Sequence, residues 1–381
     1  MTLRRIAVAV LTVIGLGLVV TGQAQAFETS AKQAIVTDFQ TGSVLFDKNA
    51  DEAVHPASMS KLMTLYLVFD RLKSGQIKLT DTLAVSEAAW ALNEGSTMFV
   101  GIGSKIQVED LIRGIIVQSG NDACLVFAEG LAGSEEAFAK LMNEKAKEIG
   151  LTNSHFVNAH GLENPEHKMT ARDLARLATR IVQDFPDYYH YFSEKTFVFN
   201  GITQGNRNPL LYTDTGADGL KTGHLSVSGY GITASALRDG RRIVMVLHGL
   251  ESMQARADEA RLVLDWAFRE TENVLLAKAN KPLEEAPVWL GQTATVPLVL
   301  HDDLLVTLPR GARDKMTAKA VFEGPVPAPI AEGQAIGKLI LQAGDQPPFE
   351  APLYAGAAVA ELDTFGRVIL AAKRLIGGGL N

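Results

Sequence analysis

The chain has 381 residues, 47% of them hydrophobic, enough for a substantial core and for two domains. A net charge of −7 with no basic run argues against nucleic acid as a partner. The single cysteine, Cys124, excludes an intramolecular disulfide, so stability must come from packing.

In chain order, Arg4 and Arg5 precede an apolar stretch from Ile6 to Val20, and Ala24-Gln25-Ala26 supplies a small-x-small cleavage pattern. The stretch is short of the roughly 20 residues a membrane helix needs. Residues 1–26 therefore read as a signal peptide cleaved after Ala26, which sends the chain out of the cytoplasm. "AIVTDFQTGSVLFDKN" predicts a β-hairpin turning at Gln40-Thr41-Gly42. After Lys61, apolar residues recur at helical spacing (Leu62, Leu65, Tyr66, Phe69, Leu72) until Gly75. Further helices are expected near 108–116, 121–131, 134–148 and 171–184, the last capped by Thr170 with Asp173. Strands return at "GLKTG", "GYGITASAL" and "RIVMVLHGL", the last two joined across Asp239-Gly240, a strong hairpin signal. A helix through "ADEARLVLDWAFRE" closes the first domain, 27–272. Strands at both ends with helices between them predict an α+β domain, an antiparallel sheet covered by helices.

From about Leu283 to residue 357 the sequence shows short alternating strands broken by Gly, Pro and Asp, the pattern of a small all-β sandwich. The tail, 358–381, is helical in pattern. Phe365, Val368, Ile369, Ala372, Leu375 and Ile376 share one face, opposite Arg367, Lys373 and Arg374. That is the pattern of an amphipathic helix lying in a membrane surface, the alternative being a helix packed on its own domain.

The chemistry starts at "HPASMSKLMTLYLVF". A serine hydroxyl needs a base within hydrogen-bond reach to act as a nucleophile. A helix starting at Ser58 would stack Lys61 beside its oxygen and leave the serine among outward-pointing backbone N–H groups that can hold an oxyanion. Lysine titrates near 10.4, so it becomes a base only where burial or another cation lowers that value. Alone, S-x-x-K arises easily by chance and is better read as a helix cap followed by a solvated lysine. Two further signals accompany it: Ser119 and Asn121 in "VQSGNDAC", polar residues interrupting an apolar helical region, and Lys221-Thr222-Gly223 in "DGLKTGHLSVSGYG", beside the strand hairpin.

In this order S-x-x-K, S-x-N and K-T-G resemble the penicillin-recognising serine enzymes. "SGNDAC", "KTGH", "HGLEN", "MTARDLA" and "NRNPLLY" make the chain similar to the low-molecular-mass D-alanyl-D-alanine carboxypeptidases of the penicillin-binding protein 5 and 6 type, over its whole length. The resemblance implies the penicillin-binding/β-lactamase-like fold and trimming of peptidoglycan stem peptides. It also implies covalent binding of β-lactams and a periplasmic place, with the tail helix on the outer face of the inner membrane. It assigns Ser58 as nucleophile, Lys61 as general base and Ser119 as proton relay. Asn121 would hold the stem-peptide amide, Lys221 would add positive field near Ser119, and Thr222 and Gly223 would line the substrate strand. The oxyanion hole falls on the backbone N–H groups of Ser58 and His224, and the carboxylate-binding arginine on Arg256. Arg207 and Asp173 read as loop residues bracing each other, His160 as a loop hydrogen-bonder, and Cys124 as a small buried residue. No metal or other cofactor is expected, since no H-E-x-x-H motif or cysteine cluster is present. Two other readings remain: a β-lactamase, although no E-x-x-x-N spacing lies between Asn121 and Lys221, and a catalytically idle envelope scaffold.

Overall fold

A computed structural model describes residues 6–11, 27–343 and 348–369. The chain divides into two units: one runs Gln25–Glu270, and the other takes Ile6–Leu11 together with the chain from Thr271 onward.

The first unit is built on a five-stranded antiparallel sheet in the order Val44–Lys48, Gln33–Asp38, Arg241–Leu250, Gly229–Arg238, Ala217–Leu225. Its hairpins turn where the sequence indicates, and Asp239 and Gly240 both take positive φ, 49° and 79°, as a two-residue turn requires. The central strand is buried along nearly its whole length because both faces of the sheet are covered. Val244 and Val246 point into the larger, helical core, while Ile243, Met245 and Leu247 point into a second core with Val263 and Leu264 of the helix Met253–Glu270. The helix Lys61–Lys73 runs through the larger core, and its apolar residues are buried on every side, as a central helix demands. Helices Val108–Ile116, Asn121–Ala132, Glu135–Glu148 and Ala171–Asp184 surround it. Thr170 caps the last by accepting the Asp173 N–H at 3.1 Å. The Asp173 carboxylate does not complete the reciprocal cap; it accepts from the Asn153 N–H and the Ser154 hydroxyl, both at 2.8 Å.

The second unit starts earlier than the expected Leu283. Strand Thr271–Ala277 follows the helix directly and pairs with Leu304–Pro309. No glycine or proline separates that helix from that strand, so composition hides the boundary. The rest is a seven-stranded sheet in which Ile6–Leu11 lies antiparallel to Met316–Glu323 at one edge. Ala286, Val296, Leu298, Phe322, Leu341 and Leu353 are among its core residues. A helix begins at residue 364 and is described to 369. Phe365 and Val368 on it are 73% and 61% exposed. The remaining residues of the expected amphipathic face, Ala372, Leu375 and Ile376, lie outside the described residues.

Candidate active site

Ser58 sits not at the start of an α-helix, as the sequence suggests, but in a 3-10 turn, Ala57–Ser60, that feeds into the helix at Lys61. The turn is entered through Ala57 in the left-handed region, φ 52°, a conformation that costs energy and needs surrounding structure to hold it. The tight turn still brings the two side chains together: Lys61 Nζ donates to Ser58 Oγ at 2.8 Å. Lys61 Nζ also donates to the backbone carbonyl of His160 at 2.5 Å. Lys61 is fully buried, and burial, with the nearby Arg207 charge, pulls its ammonium down to about 8.

The second group comes from the junction between helices Val108–Ile116 and Asn121–Ala132. Ser119 breaks the helical path with φ 62°. The Asp122 carboxylate anchors the junction by accepting from the Thr97 hydroxyl and from the N–H groups of Met98 and Val100. Lys221, reaching from strand Ala217–Leu225, donates to Ser119 Oγ at 2.9 Å and to the Thr222 carbonyl at 3.1 Å. Burial holds the Lys221 ammonium well below its ordinary value, and the positive charges of Lys61, Arg207 and Arg256 act in the same direction. Asn121 Nδ2 donates to the Glu94 carbonyl at 2.7 Å, which fixes the amide and leaves Oδ1 without a partner among the described residues.

Ser58, Ser119 and Asn121 open with Thr222, Gly223, His224 and Arg256 onto one cleft of about 560 Å³. Gly223 is required by close approach, since a Cβ there would meet the Pro56 carbonyl at 2.9 Å and Ala57 Cβ at 3.1 Å. His224 stacks its ring on Tyr230, centroids 3.9 Å apart. Arg256 lies over Tyr230, its guanidinium carbon 5.8 Å from the ring centre, and its Nε has no partner among the described residues. Every sequence-assigned residue therefore borders the cleft or, like Lys61 and Lys221, bonds to a serine that does.

The structure revises two of the lesser assignments and supports two others. Arg207 does not brace Asp173: it bonds the Ser96 hydroxyl, lines the cleft, and its carbonyl accepts from Arg256 Nη2 at 3.5 Å. Sequence reasoning missed it as a site residue because the "NRNPLLY" match placed it only as a loop residue. The His160 carbonyl was also missed, since any residue type can supply a backbone oxygen. The His160 ring bonds Glu135 at 3.1 Å and accepts the Leu162 N–H at 3.1 Å, a loop role. Burial pushes the Cys124 thiol up to about 12, so it stays protonated and inert.

The sequence profile of the D-alanyl-D-alanine carboxypeptidases matches residues 20–252, and that of the penicillin-binding protein 5 C-terminal domain matches residues 272–361. The chain belongs to the D-alanyl-D-alanine carboxypeptidase family. This carboxypeptidase is 39% identical over 351 residues to D-alanyl-D-alanine carboxypeptidase DacC of Escherichia coli (strain K12), covering 90% of its own chain and 88% of the relative. It is 36% identical to DacA of the same strain over 349 residues, 90% and 87% of the two chains. The solved structure of penicillin binding protein 5 from Haemophilus influenzae superposes with a TM-score of 0.80 at 35% identity, over 89% of this chain and 100% of that one. Penicillin binding protein 6B from Escherichia coli gives 0.73 at 33% identity, over 88% and 98%. The activity is thus that of a serine-type D-alanyl-D-alanine carboxypeptidase that binds penicillins, and the β-lactamase and scaffold readings fall behind it.

Proposed function

We propose that the carboxypeptidase reaction runs through an acyl-enzyme on Ser58. The observation that carries this reading is the 2.8 Å contact between Ser58 Oγ and a buried Lys61 whose ammonium is brought down to about 8. Near neutral pH a usable fraction of Lys61 is then neutral and can take the serine proton. Ser58 Oγ bonds to the carbonyl carbon of the penultimate D-alanine of a stem pentapeptide. The backbone N–H groups of Ser58 and His224 hold the oxyanion. Ser119, beside Lys221, passes a proton to the departing D-alanine amine as the peptide bond breaks, and water then releases the shortened peptide. Asn121 Oδ1 accepts an N–H of the stem peptide. Thr222 and Gly223 line the strand along which the peptide lies, and Arg256 pairs with its terminal carboxylate.

The setting of the reaction is part of the same proposal. Cleavage after Ala26 leaves Phe27 at the N-terminus, where its ring stacks on Trp266 at 4.5 Å. The exposed apolar residues that begin the tail helix support a position on the outer face of the inner membrane, in the periplasm. The deciding experiment treats the protein with benzylpenicillin, digests it and locates the adduct by mass spectrometry, alongside D-alanine release from a pentapeptide. The adduct belongs on the peptide containing Ser58, and Ser58→Ala should lose both adduct and D-alanine release. An adduct on any other residue overturns the mechanism. Lys61→Ala should lose acylation nearly as completely, because nucleophile and base act as a unit.

A further inference from the structure

His55, three residues before the serine, is buried with 5% of its surface exposed and has no part in the chemistry above. Two backbone N–H groups point at its ring: that of Ala57 lies 3.3 Å from Nδ1, and that of Asn164 lies 3.1 Å from Nε2. The first belongs to the strained turn that carries Ser58. The second belongs to the loop whose His160 carbonyl holds Lys61. The two segments also touch directly, since a Cβ on Gly161 would meet the Ala57 carbonyl at 2.2 Å. The His55 carbonyl contacts the ring Nε2 of His248 at 3.0 Å, which fastens the same residue to the central strand.

We propose that His55 is a positioning residue for acylation: its neutral ring accepts the Asn164 N–H, which clasps the segment leading into the serine turn to the loop that holds Lys61, and its protonation opens that clasp. The inference rests on Ser58 as the acylated residue. A neutral imidazole has one bare nitrogen, which serves the shorter contact from the Asn164 N–H at 3.1 Å, whereas an imidazolium has none and turns a ring N–H against that backbone N–H as well. Burial disfavours the charged ring, and Lys168 adds to the effect while Glu163 opposes it. The His167 ring stacks on it with centroids 5.7 Å apart, and a charge there would repel one on His55. Opening the clasp moves Ser58 relative to Lys61. Asn121, Thr222 and Arg256 stand on other elements, so the loss falls on the acylation step rather than on initial binding.

The test measures acylation of the full-length protein by a fluorescent penicillin between pH 5 and 8.5, above the range where His248 (about 4) and His167 (about 3) take up protons, separating the dissociation constant from the acylation constant by saturation. Circular dichroism at each pH keeps the comparison to folded protein. Below about 8, protonation of Lys61 alone gives a log rate that falls with slope one. In wild type the slope should steepen toward two at the acidic end as His55 takes its proton. In His55→Gln, whose amide oxygen accepts an N–H but does not titrate, the rate at pH 8 should stay within about fivefold of wild type, and the slope should remain one throughout. His55→Leu, with no acceptor, should lose about tenfold or more in the acylation constant at pH 8, with the dissociation constant unchanged. A wild-type slope of one throughout, or the same steepening in His55→Gln, overturns the proposal, and this arm decides even if the Leu variant does not fold. A folded Leu variant that acylates at the wild-type rate overturns it too. Failure of the underlying reading looks different, because wild type would then form no adduct on Ser58 at any pH.

Discussion

At the scale of single residues the site is a concentration of buried positive charge around two serines. Lys61, Lys221, Arg207 and Arg256 each have their ionised form disfavoured by burial. For Lys61 that is what the proposed role of base requires. Its folded value of about 8 means kcat/KM on a neutral-ended substrate should rise about tenfold per pH unit up to that point and flatten above it, where the lysine is neutral. A pH–rate profile that is level from 6 to 9 would assign proton abstraction elsewhere. For Arg256 the same burial fits its proposed role of pairing with an anionic substrate end, which would replace lost solvation. Charge-assisted hydrogen bonds are worth about 1.5–3 kcal/mol, so Arg256→Ala should cost roughly 10- to 150-fold in kcat/KM. Amidating the terminal carboxylate in wild type should cost a similar factor, and the two losses should overlap rather than multiply. If free and amidated substrates still differ fully in the variant, Arg207 and Lys221 read the carboxylate. The three motifs were legible because each uses residue types with distinctive chemistry. The His160 carbonyl and the Asn164 N–H were not, because backbone groups carry no sequence signature.

At the scale of elements, the helices and hairpins expected from the sequence were found to within a few residues, but the hairpin of Thr196–Phe199 with Ile202–Gly205, which turns at Asn200-Gly201, was overlooked. The exact form of the serine turn was not legible, because a 3-10 entry through a positive-φ alanine depends on what packs around it. Among the packing elements is the strand Ala217–Leu225, which lies so close that position 223 has no room for a side chain. Gly223→Ala should therefore push the strand away from Pro56 and Ala57 instead of being absorbed by a flexible neighbour. The expected result is a penicillin acylation rate lowered by about tenfold or more, with about 1–3 kcal/mol lost in denaturant unfolding. Unchanged acylation would mean that the strand can retreat without disturbing Ser58. The start of the second unit at Thr271 escaped sequence reading for the converse reason, since helix and strand abut with no punctuation between them.

At the scale of the whole molecule, acid stability and the proposed membrane attachment rest on different parts of the chain. His167 is buried, accepts the Val157 N–H at 3.4 Å through Nδ1, and has no partner for Nε2 among the described residues. Burial takes it down to about 3 from an ordinary value near 6.5. The unfolded chain thus binds a proton that the folded one refuses between these limits, and stability falls as pH drops from about 6.5 toward 3. His167→Gln should flatten that acid limb in urea melts, by an amount on the order of a few kcal/mol. The proposed membrane attachment has a separate origin. With a net charge of −7 and a pI near 5.7, the protein as a whole is repelled by anionic lipid, so attraction must come from a local element. The tail sequence offers both ingredients that a surface helix needs: apolar residues, with Phe365 and Val368 exposed, and the basic residues Arg367, Lys373 and Arg374. Full-length protein should sediment with vesicles containing anionic lipid, and removing residues 364–381 should abolish this while leaving turnover of a small peptide unchanged. Salt should weaken the binding without eliminating it, because the apolar contribution is not screened. If truncated and full-length proteins partition equally, the tail packs on its own domain and the membrane assignment is wrong.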